Sequence, residues 1–311
     1  MSVFTLQLLE LYLRLVSGIA GGWILGRCLP ERFPSQLGQF LFWFGVPASI
    51  VAFLRQADLA GALWLAPVSA WVAIGLGGLL AGFWLYLHRT PGFSQPFRGN
   101  FFLAAMFGNT GYFGFPIVLS LVGEKYLGWA IFYDLLGTVP GAYGLGVAIA
   151  AFFGERTAVT SSLSLGLTLI KNPTLWALGF GLWFRTVSLP HLVERGLDGF
   201  AWGIISLSLV LIGMRLSRLQ SWSNWQSAAI ALGIKMFLVP LILGLLLSLV
   251  GIQGSSRLAI VLQMAMPPAF ATLVLAETYG GDRELAVTAL ALGASILLLL
   301  LPLWLLLFPA S

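Results

Sequence analysis

The sequence predicts an all-α membrane protein of ten transmembrane helices, folded as two inverted five-helix repeats in which the fourth and ninth helices are broken. Three observations predict it. The 311 residues are 59% hydrophobic and only 9% charged, whereas a soluble domain carries about a quarter charged residues. The apolar residues fall into ten segments, each long enough for about 20 residues of membrane helix. Two of these segments, in corresponding places of the two halves, are interrupted: by Gly108-Asn109-Thr110-Gly111-Tyr112-Phe113-Gly114-Phe115-Pro116 in the fourth, and by Ala265-Met266-Pro267-Pro268-Ala269 in the ninth.

Taken in order, the spans fall near 5–27, 36–55, 64–87, 99–122, 127–153, 170–187, 197–217, 226–250, 256–278 and 284–308. Span one carries Glu10 and Arg14, spaced to pair on one helix face, and runs on without a cleavage-type end, so it reads as a span and not as a signal sequence. Pro47 marks a kink or a small unwinding in span two. Span three, Trp64 to Leu87, is rich in Gly and Ala, which suits close helix packing. Span five holds Asp134 just after Tyr133. The longest polar connection begins at Gly154, and a cytoplasmic linker over 154–169 separates the halves 1–153 and 170–311. Span eight holds Lys235, Gln263 and Thr272 flank the break in span nine, and Glu277 closes that span.

Charge sets the orientation. With the N-terminus outside, cytoplasmic loops hold Arg27, Arg32, Arg89, Arg98, Arg156, Lys171, Arg215, Arg218 and Arg283, and outer loops hold only Arg55, Lys125, Arg185, Arg195 and Arg257. Both termini are therefore expected outside a cell (inner) membrane. An odd number of spans per half gives the halves opposite orientation. The net charge of +5 belongs to loops facing anionic lipid, not to nucleic-acid binding. One cysteine, Cys28, leaves no internal disulfide and no paired-cysteine metal site, and no cofactor motif is present.

The breaks are where chemistry is expected. Glycine frees the backbone, and proline withholds a donor and obstructs the preceding turn. In lipid such a break survives only where it faces protein or a water-filled cavity. Asn109 is the leading candidate: its amide can donate to a carboxylate and accept from a backbone amide. Thr110, Gly108, Gly111, Pro116, Met266, Pro267 and Pro268 complete the candidate site, with half-helix N-termini offering amides and a positive dipole end to an anion. Asp134 is a candidate for a coupling proton, or a partner for a cation, at a depth the span start leaves open. Lys235 has three readings: a pair with Asp134 or Glu277, an attractor of the anion, or a side chain snorkelling to the interface, the last being favoured. Gln263 is a weaker candidate beside the second break.

These residues resemble a known family. Asn109-Thr110-Gly111-Tyr112-Phe113-Gly114-Phe115-Pro116 is similar to the span-four signature of the auxin efflux carrier family, which includes bacterial permeases and the plant PIN-formed carriers. Met266-Pro267-Pro268-Ala269 with Tyr279 and Asp282, the Lys171-Asn172-Pro173 start of span six, the Lys235 to Pro240 stretch, and Pro302 resemble the same family, so the similarity covers essentially the whole chain. The resemblance implies a fold like that of bile-acid symporters and sodium/proton antiporters. Spans four and nine cross between scaffold helices one, two, six and seven and transport helices three to five and eight to ten. It further implies a secondary transporter of small organic anions, with Asn109 matching the position that holds a carboxylate, and a homodimer through scaffold helices. The short linker departs from the long hydrophilic loop of many plant members, which suits a bacterial permease and leaves auxin in doubt.

Enzyme readings fare poorly. Tyr133-Asp134 and Gly280-Gly281-Asp282 loosely resemble intramembrane aspartyl proteases, but Tyr279 stands where a glycine belongs and Asp282 falls in a loop. The two histidines, His88 and His191, lie at loop positions and offer no serine a base within the membrane. The remaining alternative to a carrier is a channel or lipid scramblase on the same helical frame; a channel prefers charged rings or carbonyl filters, and none is evident.

Overall fold

Prolines decide the shape of these helices. In a computed structural model the described residues are 3–88, 93–155, 170–218 and 223–310, with the side chains of residues 3–11 and Arg14 outside that description. The proposed Glu10–Arg14 pair, Arg89, Arg156 and the linker from residue 156 therefore lie outside the described residues. Helices α1 (Val3–Cys28), α2 (Phe33–Gln56), α3 (Leu65–Leu87), α4 (Gln95–Met106), α5 (Thr110–Leu121) and α6 (Glu124–Phe153) are followed by α7 (Pro173–Phe184), α8 (His191–Leu216), α9 (Trp225–Val250), α10 (Gly254–Met264), α11 (Phe270–Tyr279) and α12 (Arg283–Leu307). Among the described residues there is no β-strand, and one isolated antiparallel bridge joins Gly108 to Pro268.

Among the described residues, six helices, α2, α3, α6, α8, α9 and α12, are long and apolar enough to cross a membrane. The chain is thus a multi-pass membrane protein. Helices α4, α7, α10 and α11 have 12, 12, 11 and 10 residues and reach at most about 18 Å, short of a bilayer core. The fourth and ninth predicted spans are accordingly two short helices each. The sixth is shorter than the 170–187 expected, because Asn172 caps α7 by accepting from Thr174 N at 3.0 Å and fixes its start at Pro173.

Among the described residues five stretches widen to π-helix: Leu41–Gly45, Thr110–Gly114, Asp134–Thr138, Ala142–Gly146 and Gly233–Leu238. Four of them end two residues before a proline, at Pro47, Pro116, Pro140 and Pro240. Proline cannot donate to the carbonyl four residues back, and its ring pushes that carbonyl away. The residue just before it then bonds five back, as Val46 N to Leu41 O, Val139 N to Asp134 O and Val239 N to Ile234 O do. One freed carbonyl, that of Leu136, accepts from Trp71 Nε1 at 3.1 Å.

The chain packs as two units. The first comprises Met1–Leu63, Gly111–Ile131 and Ile170–Arg218. Its seam is α1 against α8, with almost no side chain between them: a Cβ on Gly22 would overlap the Val210 carbonyl, and one on Gly213 the Ile19 carbonyl. Gly18, Gly22 and Gly26 place this small-residue face at every fourth position of α1. Arg55 ties α2 to the α7–α8 connection, donating to Phe184 O (2.6 Å), Val187 O (2.8 Å) and Glu194 Oε1 (2.8 Å).

The second unit comprises Trp64–Thr110, Phe132–Leu169 and Leu219–Ser311. Its α3 closes on α4 through Gly77, where a Cβ would stand 2.6 Å from Ala105 O. Ile74, Leu103, Met106, Phe107, Val147 and Tyr279 are buried together around that contact. Asp282 caps α12 by accepting from Leu285 N at 2.9 Å.

Candidate functional site

Within the second unit, the chain leaves helix between α4 and α5 and again between α10 and α11. Phe107 is extended (φ −109°, ψ 116°), and so is Ala269 (φ −70°, ψ 144°). The second break follows from sequence: Pro267 and Pro268 disfavour helix at the residues before them and supply no amide. Each break then satisfies the other. Asn109 N donates to Pro267 O at 2.7 Å, and Ala269 N donates to Phe107 O at 3.0 Å, on either side of the Gly108–Pro268 bridge. The interrupted helices are thus pinned back to back by their own main chains, with Asn109, Thr110 and Met266 buried.

Gly108 sits in close quarters: a Cβ there would lie 3.1 Å from both Met266 O and Lys235 Cε. Gly293 of α12 plays the same part for the prolines, since a Cβ there would stand 3.0 Å from Pro267 Cβ and from Pro268 Cδ.

Two ionisable side chains reach this region from π-helical stretches. Lys235 is 3% exposed and its Nζ donates to Met264 O at 2.7 Å. Asp134 is 7% exposed and its Oδ1 accepts from the Thr110 hydroxyl. Gln263, in the last turn of α10, is fully buried, and neither amide atom finds a hydrogen-bond partner among the described residues. A buried amide left so costs about 1–3 kcal/mol, which a polar ligand would offset. The paired breaks thus carry a buried hydroxyl bonded to a carboxyl on one side, at Thr110 and Asp134, and a carbonyl bonded to a lysine on the other, at Met264 and Lys235, with the Asn109 and Gln263 amides buried in the same unit.

A family described as "Membrane transport protein" matches residues 8–152 and 154–305. The chain belongs to that family. It is the auxin efflux carrier family of the resemblance drawn above, and the protein is a membrane transporter. A protein of Methanothermobacter thermautotrophicus is 26% identical over 311 residues, covering 98% of this chain and 95% of its own. One of Methanocaldococcus jannaschii is 28% identical over 211 residues, covering 66% of this chain and 67% of its own. Both are described as uncharacterized transporters.

In this membrane transport protein, Gly108, Asn109, Thr110, Asp134, Lys235, Gln263, Met266, Pro267 and Pro268 all belong to the second unit. Gly111 and Pro116 belong to the first, where Pro116 lines a cavity of about 560 Å³ with Leu15, Ser120 and Trp202. The favoured expectation for Lys235 is corrected: the side chain does not snorkel. The residue is buried, and its ammonium is held by a carbonyl that the neighbouring helix cannot use. Glu277 has a 48% exposed side chain and accepts from Arg283 Nε at 2.9 Å, while the buried Lys235 donates to Met264 O. Asp134, a candidate whose depth the sequence leaves open, is buried against Thr110. Gly293 and Trp71 carry no signal in the sequence. A lone glycine or tryptophan in an apolar helix carries no mark of the partner it will meet.

Proposed function

We propose that this transporter carries small organic anions, carboxylates among them, by alternating access on a frame of ten spans in two inverted five-helix repeats. The site is the crossing of the broken helices. The observation that carries the proposal is Lys235: its ammonium is buried in a membrane protein and hydrogen-bonded to a neutral carbonyl. A cation so placed is costly without an anionic partner and marks a substrate or ion path. Asn109, whose main chain is fixed by Pro267 O, would orient the carboxylate through its side-chain amide. Asp134 is the proposed carrier of a coupling proton. The positive-inside bias supports both termini outside, and a cell-membrane location and a homodimer through scaffold helices one, two, six and seven remain part of the proposal.

The test is uptake into proteoliposomes of labelled malate, malonate, indole acetate and a neutral amino acid, under an imposed membrane potential or pH gradient. One carboxylate is expected to saturate and show counterflow. Asn109→Ala is expected to lower its uptake at least about tenfold, the effect of losing one charge-assisted hydrogen bond. Equal uptake by both proteins would remove Asn109 from the site. Non-saturable flux of every solute would replace the carrier with a channel or scramblase.

A further inference from the structure

Consecutive prolines free consecutive carbonyls. In an unbroken helix Gln263 O and Met264 O would accept from the amides of residues 267 and 268, but both are proline and have none. Gln263 O takes a long bond from Met266 N at 3.4 Å, while Met264 O takes the Lys235 ammonium at 2.7 Å. The Met266 carbonyl and the same ammonium both border Gly108, at 3.1 Å and 3.3 Å from where its Cβ would be. Unwound carbonyls at a broken membrane helix are the groups that coordinate monovalent cations in transporters. Here a side chain brings the cation.

We propose that Lys235 is a tethered cation filling a monovalent-cation position at the Met264 carbonyl that Pro268 releases, with the Met266 carbonyl bordering the same glycine, so that transport needs no dissolved sodium or potassium and loss of the ammonium opens a site for one. The ligands favour a monovalent ion because they are neutral carbonyls, and the buried carboxylate of the same unit, Asp134, is engaged by Thr110. Lysine satisfies such a position as a compact point charge with three donors. The transport part of this inference rests on the anion-carrier proposal; the binding part does not.

Binding of radiolabelled sodium and rubidium to the purified full chain tests it, for wild type, Lys235→Ala and Lys235→Gln. Wild type is expected to bind neither above background. The variants are expected to bind at least one saturably, to lose it to methylammonium, and to gain thermal stability from that ion while wild type does not. In proteoliposomes, replacing sodium by choline is expected to leave wild-type carboxylate uptake unchanged and to abolish what the variants retain. Saturable sodium or rubidium binding by wild type overturns the proposal. So do folded variants that bind no cation, and variants that fail to fold with or without salt, which would make Lys235 a structural tie. Variants that fold only in sodium or potassium salts support it. Cation binding by the variants together with no carboxylate uptake by wild type would sink the carrier reading and leave the cation position standing.

Discussion

Thr110 and Asp134 form the kind of pair whose two halves can be tested apart. The hydroxyl donates to a buried carboxyl oxygen, so Thr110→Val leaves that oxygen without its donor. The expected cost is about 1–3 kcal/mol, read as a lower melting temperature in detergent. Asp134→Asn keeps an acceptor oxygen for Thr110 and removes the charge. It is expected to melt near wild type and to lose any acceleration of uptake by a pH gradient. If wild type itself ignores the gradient, Asp134 carries no coupling proton. Asn109, Thr110 and Asp134 stand out in the sequence because polar groups in apolar segments are conspicuous. The partner of Lys235 was not legible directly, being 29 residues away and dependent on a break. The signal was nevertheless there: counting back four from Pro268 names Met264 as a carbonyl in need of a donor.

At the scale of elements, the same proline arithmetic accounts for most of the departures from regular helix. Both breaks were legible, one from three glycines and a proline, the other from two prolines together. The π-helical stretches that carry Asp134 and Lys235 were not, although Pro140 and Pro240 stand two residues beyond them. A single proline in a membrane helix reads as a kink, and only the packed structure selects widening over bending. The α1–α8 seam is the complementary case. Gly18, Gly22 and Gly26 are visible at fourfold spacing, but their partners in α8 are not. Helices in lipid gain nothing from hiding apolar surface, so association depends on close backbone contact. Gly22→Val and Gly213→Val should each cost about 3 kcal/mol, because the added atoms meet main chain that cannot move aside. Thermal unfolding of the purified variants measures this. A melting temperature unchanged by either substitution would mean that the seam is not what holds the unit.

At the scale of the molecule, each unit is assembled from three separated stretches of chain. Arg55 shows how such a unit is closed. Its guanidinium, with the side chain 8% exposed, reaches carbonyls 129 and 132 residues away and a carboxylate 139 residues away. Arg55→Met is expected to destabilise the protein by about 1–2 kcal/mol, since it leaves three part-buried acceptors without their donor. Arg55→Lys should recover little of this, because one ammonium cannot span the fork of three acceptors. Denaturation midpoints of the two variants would decide it, and full rescue by lysine would reduce Arg55 to a plain charge.

The reciprocal pinning at Asn109 and Phe107 has a bearing on how the protein is made. Their partners, Pro267 and Ala269, leave the ribosome some 160 residues later, which at ordinary elongation rates is about 10–30 s. Throughout that interval the first break is already synthesised, and its main chain has nothing of its own to bond to in hydrocarbon, where each such group is costly. The nascent half therefore has to be sheltered, by the insertion machinery or by water held beside it, until the later half arrives. Biogenesis, more than the finished fold, is where this architecture is vulnerable.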